Sequence, residues 1–344
     1  MPRKAFESEF EFVRWLRRMV PSKRGRLRLG LGDDAALFAV ARGHELILTT
    51  DLFIEGVHYS RRLHPPRSVG HRALARSLSD IAAMGGTPRF ALVSLAISKR
   101  TPRRWVEEFY AGLLGLAKRF GVTLIGGDTA VIAGPTGVDV IVCGEAPARR
   151  ALLRSGARPG DHIFVSGRLG LSALGLRLLK RHRQAARSLA PARVRSAGVG
   201  DDALLAHLYP QPRCALGAFL ARRRLASAMI DLSDGLSTDL AHLCAASGVG
   251  ALLREERIPG PFRDQGVISQ GHARNLALHG GEDYELLFAV PPRKVRQVPR
   301  QHRGVGLHCI GQIQSSKGLV LVRADGTKHS LQPGGWDHFR NRKG

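Results

Sequence analysis

The stretch ELILTTD, residues 45–51, opens with apolar and β-branched residues and closes on a carboxylate. It predicts a buried strand that places Asp51 at its end. Residues 66–84 then carry apolar side chains at helical spacing, and FALVSLAI, residues 90–97, predicts another strand. Strand, helix and strand in succession indicate an α/β unit.

The same alternation extends in both directions from this stretch. Residues 7–19 have the pattern of an amphipathic helix. Thr101 is a suitable N-cap for a further helix, with Pro102 at its first position and its end at Gly121. Strands at 122–125 and 138–143 complete the first unit.

A second unit follows residues 146–160, which are rich in proline, glycine and arginine and predict a connection between domains. We therefore predict a two-domain α/β (α+β) protein, with domains at residues 1–147 and 148–344, although the pattern does not determine the strand order. The elements predicted after the connection are strand 161–166, helix 171–183, helices around Leu204 and Ala215, an element of unassigned type at 230–247, strand 250–254, helix 273–279, and strands 285–290 and 319–323.

The composition is that of a folded cytoplasmic protein. Of its 344 residues, 44% are hydrophobic, and no apolar run reaches the roughly 18 residues of a membrane-spanning helix. The first residues lack the uninterrupted apolar core of a signal peptide. The four cysteines lie far apart and form no C-x-x-C pair, so neither a disulfide framework nor a zinc site is predicted.

The formal net charge of +25 permits binding to nucleic acid, to an anionic membrane or to phosphorylated substrates. The basic residues are spread along the whole chain and form no basic tail. This dispersal favours a solvated basic surface, so we expect neither a nucleic-acid partner nor a membrane partner. The basic stretch 180–195 suggests either a loop or a solvated helix, and no function for it emerges from the sequence.

Aspartates recur beside glycine or small residues at the ends of apolar segments. Any one of them is explained by a helix cap or a turn. Together, however, they would repel one another at one edge of a sheet, and hard divalent cations such as Mg²⁺ offset that repulsion. The groups are at 32–34, 49–51, 79–80, 126–128, 231–235 and 281–283.

Phosphate chemistry is also indicated by GGDT, residues 126–129, because glycine lets backbone N–H groups approach a phosphate. The P-loop signature, the protein-kinase catalytic loop, G-x-S-x-G and H-E-x-x-H are all absent from the sequence. Direct phosphoryl transfer, stabilised by metal ions and an arginine, requires none of them.

Eight segments in this order resemble thiamine-monophosphate kinases, members of the superfamily that includes aminoimidazole ribonucleotide synthetase. They span nearly the whole chain, and four of them together (EGVHY, LSDIAAMG, SGARPGD and GGEDYEL) indicate the kinase branch. The segments are GDDAALF (32–38), TTDLFIEGVHY (49–59), LSDIAAMGGTP (78–88), IGGDT (125–129), LLRSGARPGD (152–161), IDLSDGLSTDL (230–240), GGEDYEL (280–286) and GGWDHF (334–339).

The resemblance implies a role for each matching residue. Several Mg²⁺ ions would be bound by Asp34, Thr49, Thr50, Asp51, Asp80, Asp128, Asp231 and Asp234, and Asp34, Asp51, Asp80, Asp128 and Asp231 would carry catalysis. ATP would contact Tyr110, Gly127, Asp128, Arg154 and Ser233. Thiamine phosphate would contact His58, Glu282 and Trp336.

The implied activity is ATP-dependent phosphorylation of thiamine phosphate to thiamine diphosphate. Residues 1–147 would bind ATP and Mg²⁺ and form a homodimer through their sheet, and residues 148–344 would complete the nucleotide and substrate site. The chain departs from the family at Ser77, where the kinases usually have asparagine. We therefore do not count Ser77 as a site residue.

Two alternatives remain open from the sequence. One is another ATP-using member of the superfamily with a different acceptor. Selenophosphate synthetase would require a reactive Cys or selenocysteine near an N-terminal glycine-rich loop, and the hydrogenase maturation protein a C-terminal cysteine; the sequence contains neither. The other is a non-catalytic relative that binds nucleic acid, although the aspartates are present.

Overall fold

The computed structural model describes residues 9–20, 26–29, 37–181, 198–261 and 268–336. The described residues divide into two compact units, which meet along the chain at Arg149 and Arg150. Ala82–Gly85 group with the second unit although they precede this point. Each unit combines helices with sheets, as predicted for an α/β or α+β protein.

The first unit is built on a four-stranded mixed sheet. The strand order is β3-β6-β4-β5, in which β4 and β5 are parallel and the other neighbours are antiparallel. A two-stranded antiparallel sheet, β1-β2, accompanies it. In chain order the elements are α1 (Glu9–Met19), β1 (Leu27–Leu29), β2 (Leu37–Phe38), β3 (His44–Ile54), α2 (Pro66–Ala83), β4 (Thr87–Ser98), α3 (Arg103–Phe120), β5 (Thr123–Ile132) and β6 (Gly137–Pro147).

Helices α2 and α3 lie close together because each has a glycine at the contact. A Cβ at Gly70 of α2 would lie 1.9 Å from the carbonyl oxygen of Phe109, and a Cβ at Gly112 of α3 would lie 1.9 Å from that of Arg67. No side chain fits at either position. The reciprocal glycines therefore set the distance between the two helices.

The two faces of the four-stranded sheet differ in burial, as the alternation of side chains along a strand requires. On the inner face Val93, Val140 and Phe53 are buried in the core. On the outer face of edge strand β3, Leu48 is 61% exposed and Leu52 is 59% exposed. Edge strand β3 thus presents exposed apolar side chains on the outer face of the sheet.

Three local predictions for the first unit were wrong. Strand β3 continues to Ile54, so Asp51 lies within it and not at its end. Strand β5 continues to Ile132, so Asp128 also lies within a strand. Polar residues and glycines are tolerated at these positions because one face of the sheet is open. Helix α3 has Pro102, and not Thr101, at the N-cap position and has no side-chain cap; the Thr101 hydroxyl instead accepts a hydrogen bond from Arg61.

The second unit contains a larger, mostly antiparallel sheet of order β14-β13-β9-β12-β7-β10-β8, with β11 paired to β12. Only β9 and β13 are parallel among its pairs in the described residues. The elements are β7 (His162–Ser166), α4 (Leu171–Arg181), α5 (Gly198–Leu208), α6 (Cys214–Arg222), β8 (Ala228–Asp231), α7 (Leu236–Ser247), β9 (Gly250–Arg254), a 3₁₀ helix (Glu255–Arg257), α8 (Gln270–His279), β10 (Leu286–Val290), a 3₁₀ helix (Pro292–Gln297), β11 (Gln301–His302), β12 (Val305–Gln314), β13 (Gly318–Val322) and β14 (Lys328–Ser330).

Strand β12 was not predicted, although it lies between β9 and β7 near the middle of the sheet. Its glycines, Gly306 and Gly311, interrupt the alternation that identifies a strand, and Gly311 lies where the pairing with β7 shifts register. The basic stretch beyond Arg181 lies outside the described residues up to 197. Within the described ranges, no helix is long and apolar enough to cross a membrane.

Candidate active site

Two contacts join strand β3 to helix α2 in the first unit. The Thr49 hydroxyl donates a hydrogen bond to the Asp80 carboxylate. One helical turn before Asp80, the Arg76 guanidinium lies 3.4 Å from Oδ1 of Asp51. Thr49 and Asp51 are two residues apart on a strand and so share its inner face. The structure thereby brings together three of the predicted metal ligands, with an arginine that the sequence did not single out.

The surroundings of Asp51 oppose its negative charge. Burial raises the pKa of this carboxyl above its ordinary value, and the nearby charge of Asp139 acts in the same direction. The charge of Arg76 and hydrogen bonds from Arg76 and Ser77 act against this rise but do not cancel it. A further cation beside Asp51 would favour the ionised carboxylate.

Thr50 and Asp128 lie on the opposite face of the sheet. The Thr50 hydroxyl donates to Oδ1 of Asp139 at 2.6 Å. The strand register pairs Ser94 with both Asp139 and Asp128, so these three residues form one row on that face. Asp128 is exposed and accepts a hydrogen bond from the amide of Thr129 at 2.8 Å.

Gly127 adopts a conformation that other residues disfavour, with φ of 149°. A Cβ at this position would lie 2.0 Å from the carbonyl oxygen of Val93 on the neighbouring strand. Only glycine therefore fits here. Gly127 and Asp128 are both exposed on edge strand β5.

His58 is half-buried and held in a defined tautomer. The amide of Ile54 donates to its Nδ1 at 3.0 Å, so the neutral ring carries its proton on Nε2. The ring stacks on Phe53 with centroids 5.6 Å apart. Ile54 and Phe53, at the end of strand β3, therefore fix the orientation of the His58 ring.

Tyr110, predicted to contact ATP, lies in the core of the first unit. Its side chain is only 1% exposed and packs edge-on against Phe109, with Phe12 and Trp15 of helix α1 also in contact. Burial raises the pKa of its phenol well above the ordinary value. In this structure Tyr110 is a core residue, and its phenol is not presented to a nucleotide.

In the second unit, buried Asp231 ends strand β8 and begins a tight loop to helix α7. The amide of Leu232 donates to the carbonyl of Glu285, and the amide of Glu282 donates to the carbonyl of Ser233. The two motif segments, 230–240 and 280–286, are thus hydrogen-bonded to each other. Ser233 and Glu282, predicted to contact different substrates, lie in one loop pair.

The loop and helix α7 together form a cluster with metal-ligand character. Asp234, Asp239 and His242 each offer a ligand atom, and these atoms lie within 4.8 Å of one another. Oδ2 of Asp239 accepts hydrogen bonds from the amides of Asp234 and Gly235 at 3.1 and 3.0 Å. Burial, and after it the charges of Asp231 and Asp234, raises the pKa of Asp239 well above its ordinary value.

The GGEDYEL segment is held in an unusual backbone conformation. Glu282 and Tyr284 have φ of 65° and 52°, a region that non-glycine residues seldom adopt. Oε2 of Glu282 lies 3.7 Å from Nδ1 of His207. Asp283, between the two, accepts the amides of Gly170 and Ser172 at 2.6 and 3.1 Å at the start of helix α4.

Glu285 closes the same segment through a buried ion pair. Arg213 binds its carboxylate with two nitrogens, one of them at 2.7 Å, and the hydroxyl of Ser166 donates to it as well. Such a bidentate pair fixes both partners in one geometry. The strained loop before Glu285 is therefore anchored at its end.

Residues 334–336 lie along the loop that contains Asp234. The amide of Trp336 donates to the carbonyl of Asp234 at 3.1 Å, and the amide of Gly335 donates to the Thr238 hydroxyl at 3.0 Å. A Cβ at Gly335 would lie 2.0 Å from the carbonyl oxygen of Asp234. The Trp336 side chain is 43% exposed, so its ring is accessible for stacking.

The Arg154 side chain is exposed, and its carbonyl accepts a hydrogen bond from Ser247 at 3.1 Å. Asp34 lies outside the described residues.

Four residues join the site groups without having been predicted: Arg76, Asp139, Asp239 and His242. Each had a signal in the sequence. Arg76 lies one helical turn before Asp80, Asp239 is within IDLSDGLSTDL, and His242 follows Asp239 by three residues on a helix. Asp139 is the acid of the otherwise apolar stretch 138–143.

The donor atoms of these groups fit Mg²⁺. Carboxylate and hydroxyl oxygens from Thr49, Asp51 and Asp80 on one element pair, with exposed Asp128 on the sheet, are the hard ligands that this ion prefers. Burial raises the pKa of Asp51 although Arg76 lowers it, so a cation beside this carboxylate would stabilise its charged form. In the second unit, Asp234 and Asp239 offer oxygens of the same kind.

The sequence matches two family descriptions that follow one another along the chain. Residues 32–146 match AIR synthase related protein, N-terminal domain, and residues 158–323 match AIR synthase related protein, C-terminal domain. The two matches together cover most of the chain.

Three relatives extend over nearly the whole length. Thiamine-monophosphate kinase of Escherichia coli strain K12 is 37% identical over 334 residues, which are 96% of this chain and 98% of that protein. The crystal structure of thiamine-monophosphate kinase from Stenotrophomonas maltophilia K279a is 32% identical, with a TM-score of 0.78 over 94% of this chain and 98% of that one. A structure titled AaThiL complexed with AMPPCP and TMP is 31% identical, with a TM-score of 0.72 over 96% of this chain and 97% of that one.

Proposed function

We propose a function for this chain from one premise: it belongs to the AIR synthase related family and, within it, to the thiamine-monophosphate kinases. The proposed reaction transfers the γ-phosphoryl group of ATP to thiamine monophosphate and yields thiamine diphosphate and ADP. The bond that breaks joins the β,γ-bridging oxygen to the γ-phosphorus, and the bond that forms joins that phosphorus to a terminal oxygen of thiamine monophosphate.

One observation carries this proposal. The relative that was solved with AMPPCP and TMP shares its fold with this chain over 96% of this chain's length. AMPPCP is an ATP analogue that cannot transfer its γ-phosphoryl group, so it and thiamine monophosphate correspond to the two substrates. Several residues of the family motifs lie in the two groups described above: Thr49, Asp51 and Asp80 in the first unit, and Asp231, Ser233, Asp234 and Glu282 in the second.

We assign six aspartates and two threonines to Mg²⁺ binding: Asp34, Thr49, Thr50, Asp51, Asp80, Asp128, Asp231 and Asp234. Bound Mg²⁺ supplies charge neutralisation and Lewis-acid polarisation of the phosphoryl oxygens. The chain's own contribution is to hold oxygen ligands on rigid elements, because Thr49 and Asp51 are on a strand and Asp80 is on a packed helix.

The nucleotide is assigned to Gly127, Asp128, Arg154 and Ser233. Gly127 is exposed beside Asp128 on edge strand β5, and both belong to the GGDT segment that matches the family's nucleotide-binding motif. Arg154 is exposed and can donate two parallel hydrogen bonds to a phosphate. Tyr110 is left out because its phenol is buried.

Thiamine monophosphate is assigned to His58, Glu282 and Trp336. The exposed indole of Trp336 can stack on the cationic heteroaromatic ring. The Glu282 carboxylate, held in place by its strained backbone, carries the charge opposite to that of the ring. His58 offers an Nε2–H donor because its Nδ1 accepts the amide of Ile54.

Transfer proceeds in line and needs no general base. The accepting phosphate of thiamine monophosphate is already ionised near neutral pH, so its oxygen is a nucleophile without losing a proton. The enzyme's task is to bring two anions together and to stabilise the charge of the transition state.

We also propose that two copies of the chain pair through the outer face of the first unit's sheet. Leu48 and Leu52 expose most of their apolar surface on edge strand β3, and an apolar face of this kind is typical of a protein interface. A two-fold symmetric dimer is the commonest arrangement of such a face.

The test of the reaction is phosphate transfer from ATP with Mg²⁺ to a panel of thiamine, thiamine monophosphate and aminoimidazole-pathway substrates, read by chromatography. We expect thiamine diphosphate from thiamine monophosphate alone. ATP hydrolysis or transfer only to another acceptor would reject the proposal in favour of a different superfamily activity.

A further inference from the structure

Two basic segments, far apart in sequence, both belong to the second unit. Arg222–Arg224 end helix α6, and residues 293–303 run from the second 3₁₀ helix into the hairpin of β11 and β12. No Asp or Glu occurs from Ala203 to Ile230 or from Leu286 to Ala324. We call their eight cationic side chains the α6–β11 basic patch: Arg222, Arg223, Arg224, Arg293, Lys294, Arg296, Arg300 and Arg303.

Side-chain contacts join the two segments into one surface. Nζ of Lys294 donates a hydrogen bond to the carbonyl of Arg224, which ties the 3₁₀ helix to the end of α6. Phe219 of α6 stacks on His302 of β11, with ring centroids 4.8 Å apart and planes 25° apart. Arg222 is close enough to His302 for its charge to lower the pKa of that ring, after burial and Arg303.

The charges of the patch face solvent. Every arginine in it is exposed, and within the described part of the chain none of the eight cations forms a salt bridge. Arg303 and Gly304 have φ of 52° and 82°, so the β11–β12 hairpin turns tightly and carries Arg303 at its tip. Because like charges repel, the patch favours a partner with closely spaced negative charges.

We propose that the α6–β11 basic patch binds single-stranded nucleic acid, with its arginines on the phosphates and the Phe219–His302 stack against a base. Seven of the eight cations are arginines, whose guanidinium group binds phosphate with two nitrogens and also stacks on bases. Phe219 and His302 are both half-buried, so part of each ring is accessible. Arginines around an aromatic surface are the combination that binds single strands.

Two other anionic partners fit the patch less well. A membrane surface would be held more firmly by exposed apolar side chains, and none of the large exposed apolar residues in the described ranges lies in the patch. An acidic peptide would use the charges but not the aromatic stack. The patch contains no residue assigned to phosphoryl transfer, so this activity is additional to the proposed kinase reaction.

The basic residues of the patch come together only in the fold, which explains why the sequence predicted no nucleic-acid partner. Along the chain the basic residues are dispersed, and dispersal indicates a solvated surface. The structure brings α6 beside β11, although some 70 residues lie between Arg224 and residues 293–303 in the sequence. Density of charge on the surface, and not along the chain, determines binding to a polyanion.

The experiment measures binding of the full chain to labelled RNA and DNA single strands of about 20 nucleotides, by fluorescence anisotropy at several salt concentrations. The patch variant is Arg222→Gln, Arg300→Gln and Arg303→Gln. The control variant, Arg17→Gln, Arg62→Gln and Arg100→Gln, removes the same charge from exposed positions in the first unit. Both variants should keep wild-type kinase activity, which verifies that they fold.

We expect wild-type affinity to fall linearly with salt on logarithmic axes. The patch variant should bind at least about ten-fold more weakly, and its salt slope should be smaller by about 2, because three phosphate contacts of about 0.7 each are lost. The control should stay within about two-fold of wild type. The RNA and DNA arms show which sugar the site accepts.

Three outcomes would overturn the proposal. Equal loss of affinity in the patch and control variants would mean that only total charge matters. An affinity for an abasic strand equal to that for the normal oligonucleotide would show that the patch does not recognise bases. Binding of polyglutamate or of phosphatidylserine vesicles as tightly as the oligonucleotides would identify a different class of partner.

Discussion

Asp128 shows how a single exposed carboxylate can be tested without disturbing the fold. Its side chain faces solvent and binds only the neighbouring Thr129 amide among the hydrogen bonds found for it. We expect Asp128→Asn to lower kcat by at least about ten-fold, because even residues that only support a metal ligand cost that much. Steady-state kinetics at saturating Mg²⁺, together with a thermal melt that should not change, measure the effect.

The matched control for this variant is Asp325→Asn. Asp325 is also exposed and likewise accepts hydrogen bonds from a nearby threonine, Thr327. It should leave kcat unaltered. Full turnover in Asp128→Asn would show that this carboxylate binds no catalytic metal.

At the residue scale, the sequence predicts the chemical type of a site residue better than its position in the fold. The motif residues Asp51, Asp80 and Asp234 lie where oxygen ligands gather. Tyr110 could not be placed from its motif, because its burial depends on aromatic residues of α1 almost a hundred positions earlier. The contact between Asp51 and Arg76 could not be predicted from the sequence, because it depends on how strand β3 packs against helix α2.

At the element scale, the start of helix α4 predicts a pH dependence. Burial raises the pKa of Asp283 to about 8, from an ordinary value of 3.8, although two amides bind the carboxylate. Between these values the folded state holds a proton that the unfolded state has released. The contribution of Asp283 to stability is therefore full below about pH 4 and is lost as the pH rises through about 8.

Comparison of wild type with Asp283→Asn isolates this contribution. We expect the free energy of unfolding of wild type, relative to the variant, to fall as the pH rises from 5 to about 8 and then to level off, as measured by urea denaturation. A relative stability that stays constant over this range would mean that Asp283 titrates with an ordinary pKa.

The contact between helices α2 and α3 gives a second prediction at this scale. Gly112→Ala should lower the free energy of unfolding by about 1–3 kcal/mol, because its methyl group would overlap the carbonyl of Arg67. Gly115→Ala, on the same helix with no atom near the added Cβ, should raise stability by up to about 1 kcal/mol. Urea denaturation of both variants measures the difference, and equal effects would contradict the close contact.

Elements with strong periodicity were predicted well from the sequence. Helices α2 and α3 begin and end within a few residues of their predicted limits, because their apolar stripes are regular and Gly121 ends α3 in a left-handed conformation. Strands β3 and β5 were predicted too short, because polar residues on an open face resemble a strand end. Hydrophobic patterning marks the buried part of a strand, and hydrogen bonding continues beyond it.

At the scale of the whole molecule, the exposed face of β3 predicts its state of association. The double substitution Leu48→Asp and Leu52→Asp should convert a dimer into a monomer, because two desolvated charges would be placed in the proposed interface. Sedimentation velocity measures the change. Val131→Asp is the control, since Val131 is 65% exposed on the other edge strand, β5.

A wild-type chain that sediments as a monomer would contradict this dimer. A dimer that survives the double substitution would require a different interface. In either case the kinase assay remains a separate measurement, because association and phosphoryl transfer are read independently.

The sheet topology of the second unit could not be predicted from the sequence. The order β9-β12-β7-β10 joins strands from opposite ends of the second unit, and no local pattern encodes which strands become neighbours. Likewise, the basic segments that meet at α6 and β11 are separate in the sequence.

The central position of β7 has a consequence for how the second unit is made. Ile163 pairs with Ala289 on one side and with Gly311 on the other, so both neighbours of this strand are synthesised long after it. Until they emerge from the ribosome, the apolar residues Ile163–Val165 have no partner strand, and closing such long loops is slow. We therefore expect this strand to be the part of the nascent chain that most needs a chaperone.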